Sequence, residues 1–238
     1  FSGPLRAQHA NAAAGRCVTT RISPTRLSCA GAYEGRARQG CYISRMNAAF
    51  YLASQSPRRH ELLAQAGLRF APLSVSVDET PRAREAGLDY VRRVVDEKLA
   101  AALAAAPTEL PVLVADTEVI FDGKALGKPR DAAHAEKMLE QLSGETHSVV
   151  TRVVVGLGTR RDHVETTTHI TFAPLTFAQI QRYCASGEPM GKAGAYAIQG
   201  EAAGFVLSLS GSLTGVIGLP VAETLELLSR FDVRPGGA

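Results

Sequence analysis

A chain of 238 residues has room for one large domain or for two small lobes sharing a cleft. Its hydrophobic share of 45% and charged share of 21% suit a sizeable buried core, and no run approaches the roughly 18 uninterrupted apolar residues of a membrane helix. The net charge of +3 is uneven: residues 1–45 hold seven arginines and one acid, Glu34, while the rest carries 19 Lys and Arg against 22 Asp and Glu. The body is therefore mildly acidic, which argues against both nucleic acid and a membrane as partners.

Residues 1–45 carry neither an apolar stripe nor strand alternation, and lack the roughly 7–15-residue apolar run of a secretory signal. They read as a leader outside the fold. An Arg- and Ser-rich organelle transit peptide is one reading; sequence upstream of a start at Met46 is the preferred one, with the folded domain spanning 46–238. Cys17, Cys29 and Cys41 fall in the leader, which leaves Cys184 alone in the body. One cysteine makes no intrachain disulfide, so a reducing, cytoplasmic setting is expected.

From Phe50 onward strands and helices alternate. Phe50–Ala53 is a short apolar strand that leads into Ser54-Gln55-Ser56, where Ser56 predicts an N-cap with Pro57 at the first helical position. Leu62, Leu63 and Ala66 give that helix its apolar face, and Gly67 stops it. Phe70–Val77 reads as a second strand and Asp78–Pro81 as a loop. A long helix from about Leu88 to Ala106 follows, with Val91, Val95, Leu99 and Ala102 at helical spacing. Pro111–Ala115 is a buried strand with Asp116 at its carboxyl end, and Val119–Phe121, Asp122-Gly123 and Ala125-Leu126 make a hairpin. Asp131 caps a helix to about Leu142, and Val149–Leu157 and Val164–Phe172 read as longer strands. Thr176 and Gln179 predict a capping box for a helix ending near Gly187. A Gly-rich segment, a strand over Phe205–Leu209 and a helix over Val221–Phe231 complete the body. Hairpins together with crossovers predict an α/β fold with an elongated mixed sheet and two lobes.

No P-loop, nucleophile elbow, zinc-protease helix or Cys-x-x-Cys pair is present. The six histidines are scattered, and Cys184 between Tyr183 and Ala185 reads as a small buried hydrophobe. What remains is polar chemistry at strand ends. Ser54, Ser56, Arg58 and Arg59 occupy a strand-to-helix turn, where free N–H groups and the helix dipole favour an anion. Two arginines in a first helical turn oppose that dipole unless an anion sits there; the plainer alternative is a surface helix extending them into water. Asp116 is either a ligand-crevice carboxylate or a cap for the next turn. Together with Glu79 it could hold a hard cation through oxygen ligands. Lys98 and Lys128 are either phosphate contacts or solvated surface charges. Taken jointly, these residues point to a phosphorylated substrate and a metal.

The same residues, in order, resemble one family. Leu52-Ala53-Ser54-Gln55-Ser56-Pro57-Arg58-Arg59, Asp78-Glu79, Glu97-Lys98, Ala115-Asp116-Thr117 and Gly127-Lys128-Pro129-Arg130 follow one another as in the Maf nucleotide pyrophosphatases. Lys192 to Gly200, Gly211-Ser212 and Val216 to Pro220 continue the resemblance, which covers about Phe50 to Phe231. It implies a Maf/inosine-triphosphatase-like fold: an elongated mixed sheet flanked by helices, with two lobes around a central cleft. It further implies hydrolysis of a nucleoside triphosphate to the monophosphate and pyrophosphate with Mg²⁺ or Mn²⁺, a cytoplasmic housecleaning role, and a homodimer. By position, Asp116 resembles the general base, Glu79 and Asp116 the metal carboxylates, and Ser54, Arg59, Lys98 and Lys128 the triphosphate cradle. Arg58, Thr117 and Gln199 match the positions that read the base, with the residues of the dTTP/UTP branch rather than the 7-methyl-GTP branch. Two residues depart from the pattern: Glu118 stands where an apolar residue is common, and Gln55 replaces a common Gly or Thr in the first loop. The competing class is a septation-regulating interaction protein, although a contact module has no need for carboxylates and cations gathered at strand ends.

Overall fold

The structure, a computed structural model, describes residues 48–236; the expected leader and the start at Met46 lie outside the described residues. The strands are β1 (Phe50–Leu52), β2 (Phe70–Pro72), β3 (Val112–Phe121), β4 (Lys124–Ala125), β5 (Thr146–Leu157), β6 (Arg160–Phe172) and β7 (Val206–Ser210). The helices are α1 (Pro57–Gln65), α2 (Gly87–Ala105), α3 (Ala132–Leu142), α4 (Phe177–Ala185), α5 (Leu213–Ile217) and α6 (Val221–Ser229), with short 3₁₀ turns at Ala193–Ala195 and Glu201–Phe205. The strands form one seven-stranded mixed sheet in the order β2-β1-β3-β5-β6-β7, with β4 beside β3. Pairing is parallel among β2, β1 and β3 and antiparallel from β3 through β7.

Strand alternation sorts the core. On one face α2 lays Tyr90, Val91, Val94, Val95, Leu99 and Ala102 over Val112, Val114, Val150 and Val154. The helix comes so near that a Cβ on Gly156 of β5 would lie 2.9 Å from Leu99 Cδ1, so a larger residue there would have to displace that side chain. The opposite face carries two separate apolar patches. Helices α1 and α6 cover Leu113, Ala115, Val153 and Val155, whereas α3 and α4 cover Val119, Val149, Ile170 and Phe172. Between the patches lies a row of threonines in register across three strands, Thr117, Thr151 and Thr166. Helix α5 caps this polar seam, the Thr151 hydroxyl donating to the Gly215 carbonyl at 2.8 Å. On this face the two patches therefore meet along a line of hydroxyls, while the core under α2 runs past that line on the other.

Several local expectations hold. Asp131 Oδ1 accepts the His134 N–H at 2.7 Å, and the Thr176/Gln179 capping box is complete. Asp122 and Gly123, both with positive φ, form the two-residue turn between β3 and β4. Others are corrected. The second strand stops at Pro72 rather than Val77, because β1 ends at Leu52 and leaves the chain beyond Leu73 without a ladder partner. Pro111–Ala115 and Val119–Phe121 are one strand, so Asp116 lies inside β3 and not past its end; pairing with β5 from Val112 to Ile120 carries the strand through. Ser56 does precede α1, but its hydroxyl makes no capping bond; its own N–H donates to Ser54 Oγ instead. Helix α5, in a segment holding Gly215 and Gly218, has no counterpart among the predicted elements.

Candidate active site

Partner β1 leaves β3 at Leu113, and β4 joins it only opposite Ile120. From Ala115 to Glu118 this edge of β3 has no neighbour, and a cleft of about 760 Å³ opens there. Carbonyls of Leu113 and Val119 face this edge, accepting from Ala53 N–H and Leu126 N–H. By alternation, the backbone of Ala115 and Thr117 turns the same way, into the cleft. Because the opening wraps around a strand edge, side chains from both sheet faces reach it: Asp116 from the α2 face, Thr117 from the seam.

One wall is the turn from β1 into α1. The Arg59 side chain folds inward to 9% exposure and donates from Nε to the Gly218 carbonyl at 2.8 Å. Its Nη1 reaches Ser54 Oγ and its Nη2 reaches Thr117 Oγ1, both at 3.2 Å. One N–H on each terminal nitrogen remains for the cleft. Burial pulls the Arg59 pKa below its ordinary value, and the nearby Asp116 carboxylate opposes that pull. Arg58 is half-buried beside it, its pKa also lowered by burial. Thr117 Oγ1 lies 2.9 Å from Thr151 Oγ1 and 3.3 Å from the Gly218 carbonyl, so this hydroxyl is engaged within the seam.

The other side carries the carboxylates. Lys98, reaching from α2, sets its Nζ 2.8 Å from Asp116 Oδ1 and 2.7 Å from Glu79 Oε1. Lys128 Nζ lies 3.6 Å from Glu79 Oε2. Burial works against ionisation of Glu79, but Lys98 and Lys128 outweigh it and hold the carboxyl below its ordinary value. Tyr90 fixes the Glu79 loop by donating its hydroxyl to the Glu79 carbonyl at 3.0 Å.

The structure brings Ser54, Arg58, Arg59, Glu79, Lys98, Asp116, Thr117 and Lys128 to one cleft. Gln199 is exposed and stands outside the lining, one residue past Ile198, which does line it. Residue-level reasoning gave no role to Lys192 and Tyr196, which also line the cleft. Their signal was confined to the Lys192–Gly200 motif, since nothing in periodicity ties that segment to β3. The Tyr196 hydroxyl lies 2.8 Å from His147 Nε2, and His147 stacks edge-on against Phe172, so the wall behind Tyr196 is an aromatic core. Glu118 proves to be no cleft carboxylate. It is 4% exposed, and its Oε1 accepts the N–H groups of Val119 and Gly127, both at 2.9 Å. Burial pushes its carboxyl up to about 7, against the opposing pull of the Gly127 N–H.

Among the described residues no group of three or more His, Cys, Asp or Glu converges as a self-sufficient metal site. Glu79 and Asp116, however, share one cation at hydrogen-bonding distance, which is the donor set of a magnesium-like ion that fills its remaining positions with water and phosphate oxygens. The residues therefore fit a divalent ion that arrives with a phosphorylated ligand.

A mixed α/β sheet with a cation-lined cleft at a strand edge is the class of molecule that fold and site define. Residues 49–231 match a family model described as Maf-like protein. The chain is 51% identical over 183 residues to a dTTP/UTP pyrophosphatase of Pectobacterium atrosepticum, covering 76% of this chain and 92% of that one. It is 50% identical over 182 residues to a dTTP/UTP pyrophosphatase of Methylococcus capsulatus, covering 76% and 90%. A dTTP/UTP pyrophosphatase of Salmonella typhimurium is 48% identical over 182 residues, covering 76% and 92%. The chain belongs to the Maf family. Among solved structures, a dITP/XTP pyrophosphatase of Mycobacterium abscessus aligns at 17% identity over 53% of this chain and 75% of its own, with a TM-score of 0.36, too distant to weigh on the fold.

Proposed function

We propose that the protein hydrolyses dTTP and UTP, and modified pyrimidine nucleotides of the same shape, to the nucleoside monophosphate and pyrophosphate. The observation that carries this reading is the Asp116–Lys98–Glu79 bridge inside a cleft also lined by Arg58, Arg59, Lys128 and Lys192. Two carboxylates among five cations match a polyanion that arrives with a divalent ion, and about 760 Å³ suits a nucleotide. The names of the relatives supply the base.

In this reading Ser54, Arg59, Lys98 and Lys128 hold the triphosphate, neutralising charge that grows on the phosphate oxygens. Glu79 and Asp116 would hold Mg²⁺ or Mn²⁺, which would supply Lewis-acid polarisation of the bound phosphate. Asp116 accepts a proton from water as the water oxygen bonds to the α-phosphorus. The bond from that phosphorus to the α–β bridging oxygen breaks, and pyrophosphate leaves with the electron pair. Arg58, Thr117 and Gln199 are assigned to the base, Thr117 through its place in the wall because its hydroxyl is held in the seam. A glutamine amide offers one donor and one acceptor, which suits the carbonyl–imide–carbonyl edge of uracil or thymine. The exposure of Gln199 is consistent with a base lying over Ile198 at the mouth of the cleft.

We assign this role to the cytoplasm and to a homodimer, which analytical sedimentation would test. Among the described residues no helix is long and apolar enough to cross a membrane. The deciding experiment is pyrophosphate release from a panel of nucleoside triphosphates with Mg²⁺ or Mn²⁺ and with chelator. Highest kcat/KM on dTTP and UTP, lost with chelator, is expected. A maximum on 7-methyl-GTP would overturn the base assignment, and no turnover on any nucleotide would overturn the enzyme.

A further inference from the structure

The β3–β4 ladder is short. It spans Ile120↔Ala125 and Phe121↔Lys124, and is extended by the Leu126 N–H donating to the Val119 carbonyl at 2.9 Å. Past Leu126 the chain turns away through Gly127, at φ +66°, into Lys128 and Pro129. Pro129 has no N–H to continue the ladder. Two N–H groups are thereby left at the cleft edge without backbone partners, those of Val119 and Gly127. One oxygen of Glu118 accepts both at 2.9 Å, from a side chain 4% exposed. The carboxylate thus stands in for a missing rung. The chain of contacts continues, because the Gly127 carbonyl accepts the Gly194 N–H at 2.9 Å, at the turn that follows Lys192. Gly194 packs so tightly on β3 that a Cβ there would lie 2.7 Å from Val119 Cγ2.

We propose that Glu118 is a positioning residue: by clamping the amides of Val119 and Gly127 to the edge of β3, it holds the Gly127–Lys128 turn so that Lys128 stands at the cleft, and through Gly127 it registers the Lys192–Gly194 turn on the facing wall. Lys128 is 61% exposed and its ion pair to Glu79 is loose, at 3.6 Å, so its position leans on the backbone beneath it. Neither the sequence pattern nor a catalytic role for Glu118 accounts for this clamp. Its geometry stands without any nucleotide; only its kinetic consequence rests on the reading of Lys128 as a phosphate contact.

The test uses Glu118→Asp, which keeps a carboxylate but shortens it by one methylene and cannot reach Gly127 from the same backbone. Glu118→Gln, whose amide oxygen has the full reach, is its partner. Amide hydrogen exchange followed by NMR on the nucleotide-free protein is the first readout. Glu118→Asp should speed exchange at Gly127 by about 10-fold or more, and Glu118→Gln should restore most of the protection. Unchanged exchange at Gly127 in Glu118→Asp overturns the proposal. The second readout is a double-mutant cycle with Lys128→Met on dTTP hydrolysis. Glu118→Asp alone should lower kcat/KM by roughly 10- to 100-fold, the scale of a misplaced contact. In the Lys128→Met background it should cost less than about 3-fold. Equal losses in both backgrounds overturn the positioning role. If Lys128→Met alone changes nothing, the phosphate role of Lys128 fails, while the exchange measurement still decides whether Glu118 holds the turn.

Discussion

The ammonium of Lys98 lies 2.8 Å from Oδ1 of Asp116, so the proposed base shares a lone pair with a cation before any substrate arrives. The same nitrogen is 2.7 Å from Glu79, and a divalent ion bound by both carboxylates must contest this position. Replacing the ammonium by a methyl should remove that competitor. Lys98→Met is therefore expected to bind Mn²⁺ without nucleotide about 10-fold more tightly than the parent, read by electron paramagnetic resonance of free Mn²⁺. Equal or weaker binding would mean that Lys98 and the metal use different faces of the carboxylates.

Asp116→Asn tests the base. The amide keeps the shape but takes no proton from water, so kcat should fall by about 10²–10⁴-fold while dTTP still binds. Calorimetric titration of dTTP and of metal should accompany the kinetics, separating a lost ligand from a lost base. Near-normal kcat would remove Asp116 from the chemistry.

Gln199→Glu exchanges a donor–acceptor pair for acceptors alone. An unpaired polar contact at the base costs about 1–3 kcal/mol, so dTTP turnover should fall roughly 5- to 150-fold in kcat/KM, with Mn²⁺ affinity unchanged. Because Gln199 stands outside the cleft lining, an unaltered kcat/KM would confine base reading to Arg58 and Thr117.

The buried His147 gives the fold a pH dependence of calculable sign. Burial pushes its imidazole pKa down to about 4, from 6.5 in the unfolded chain. Above pH 6.5 both states hold a neutral ring and nothing is lost. As pH falls from 6.5 to 4 the unfolded chain takes up a proton that the folded one refuses, so stability declines across that window and levels off below it. Between pH 7 and 5 the parent should lose about 2 kcal/mol more than His147→Gln, measured by urea unfolding at both values. Identical losses would mean that the ring titrates normally in the fold.

The order of strands and helices was legible because capping and turn signals are local. Asp131, the Thr176/Gln179 box and the Asp122-Gly123 turn each act within a few residues. The length of β3 was not legible. Asp116-Thr117-Glu118 reads as a polar break, and only the pairing with β5 keeps it extended. The reverse holds at Ser74–Val77, which has strand composition but no ladder partner. For the site, the charged cluster was legible as chemistry, and the ordered motifs tied it together. The orientation of Arg59 was not, since its Nε partner is Gly218, 159 residues away. Nor was the work of Glu118, whose carboxylate reads as a site acid until its two backbone donors are seen.

The Arg59–Gly218 contact also sets an order of events during synthesis. Beneath it, Phe50, Leu52, Leu62 and Leu63 from the first part of the fold pack on Leu219, Leu227, Leu228 and Phe231 from the last. A chain still on the ribosome holds the antiparallel strands β3, β5 and β6 long before it holds α6, and neighbouring hairpins close at small entropic cost. The half of the sheet built on β1 keeps its apolar patch uncovered until α6 has been made. The Asp116↔Arg152 pairing needs only β3 and β5, whereas the Arg59 corner needs Gly218, so the β1 patch is an aggregation hazard for any chain in which α6 has not yet docked.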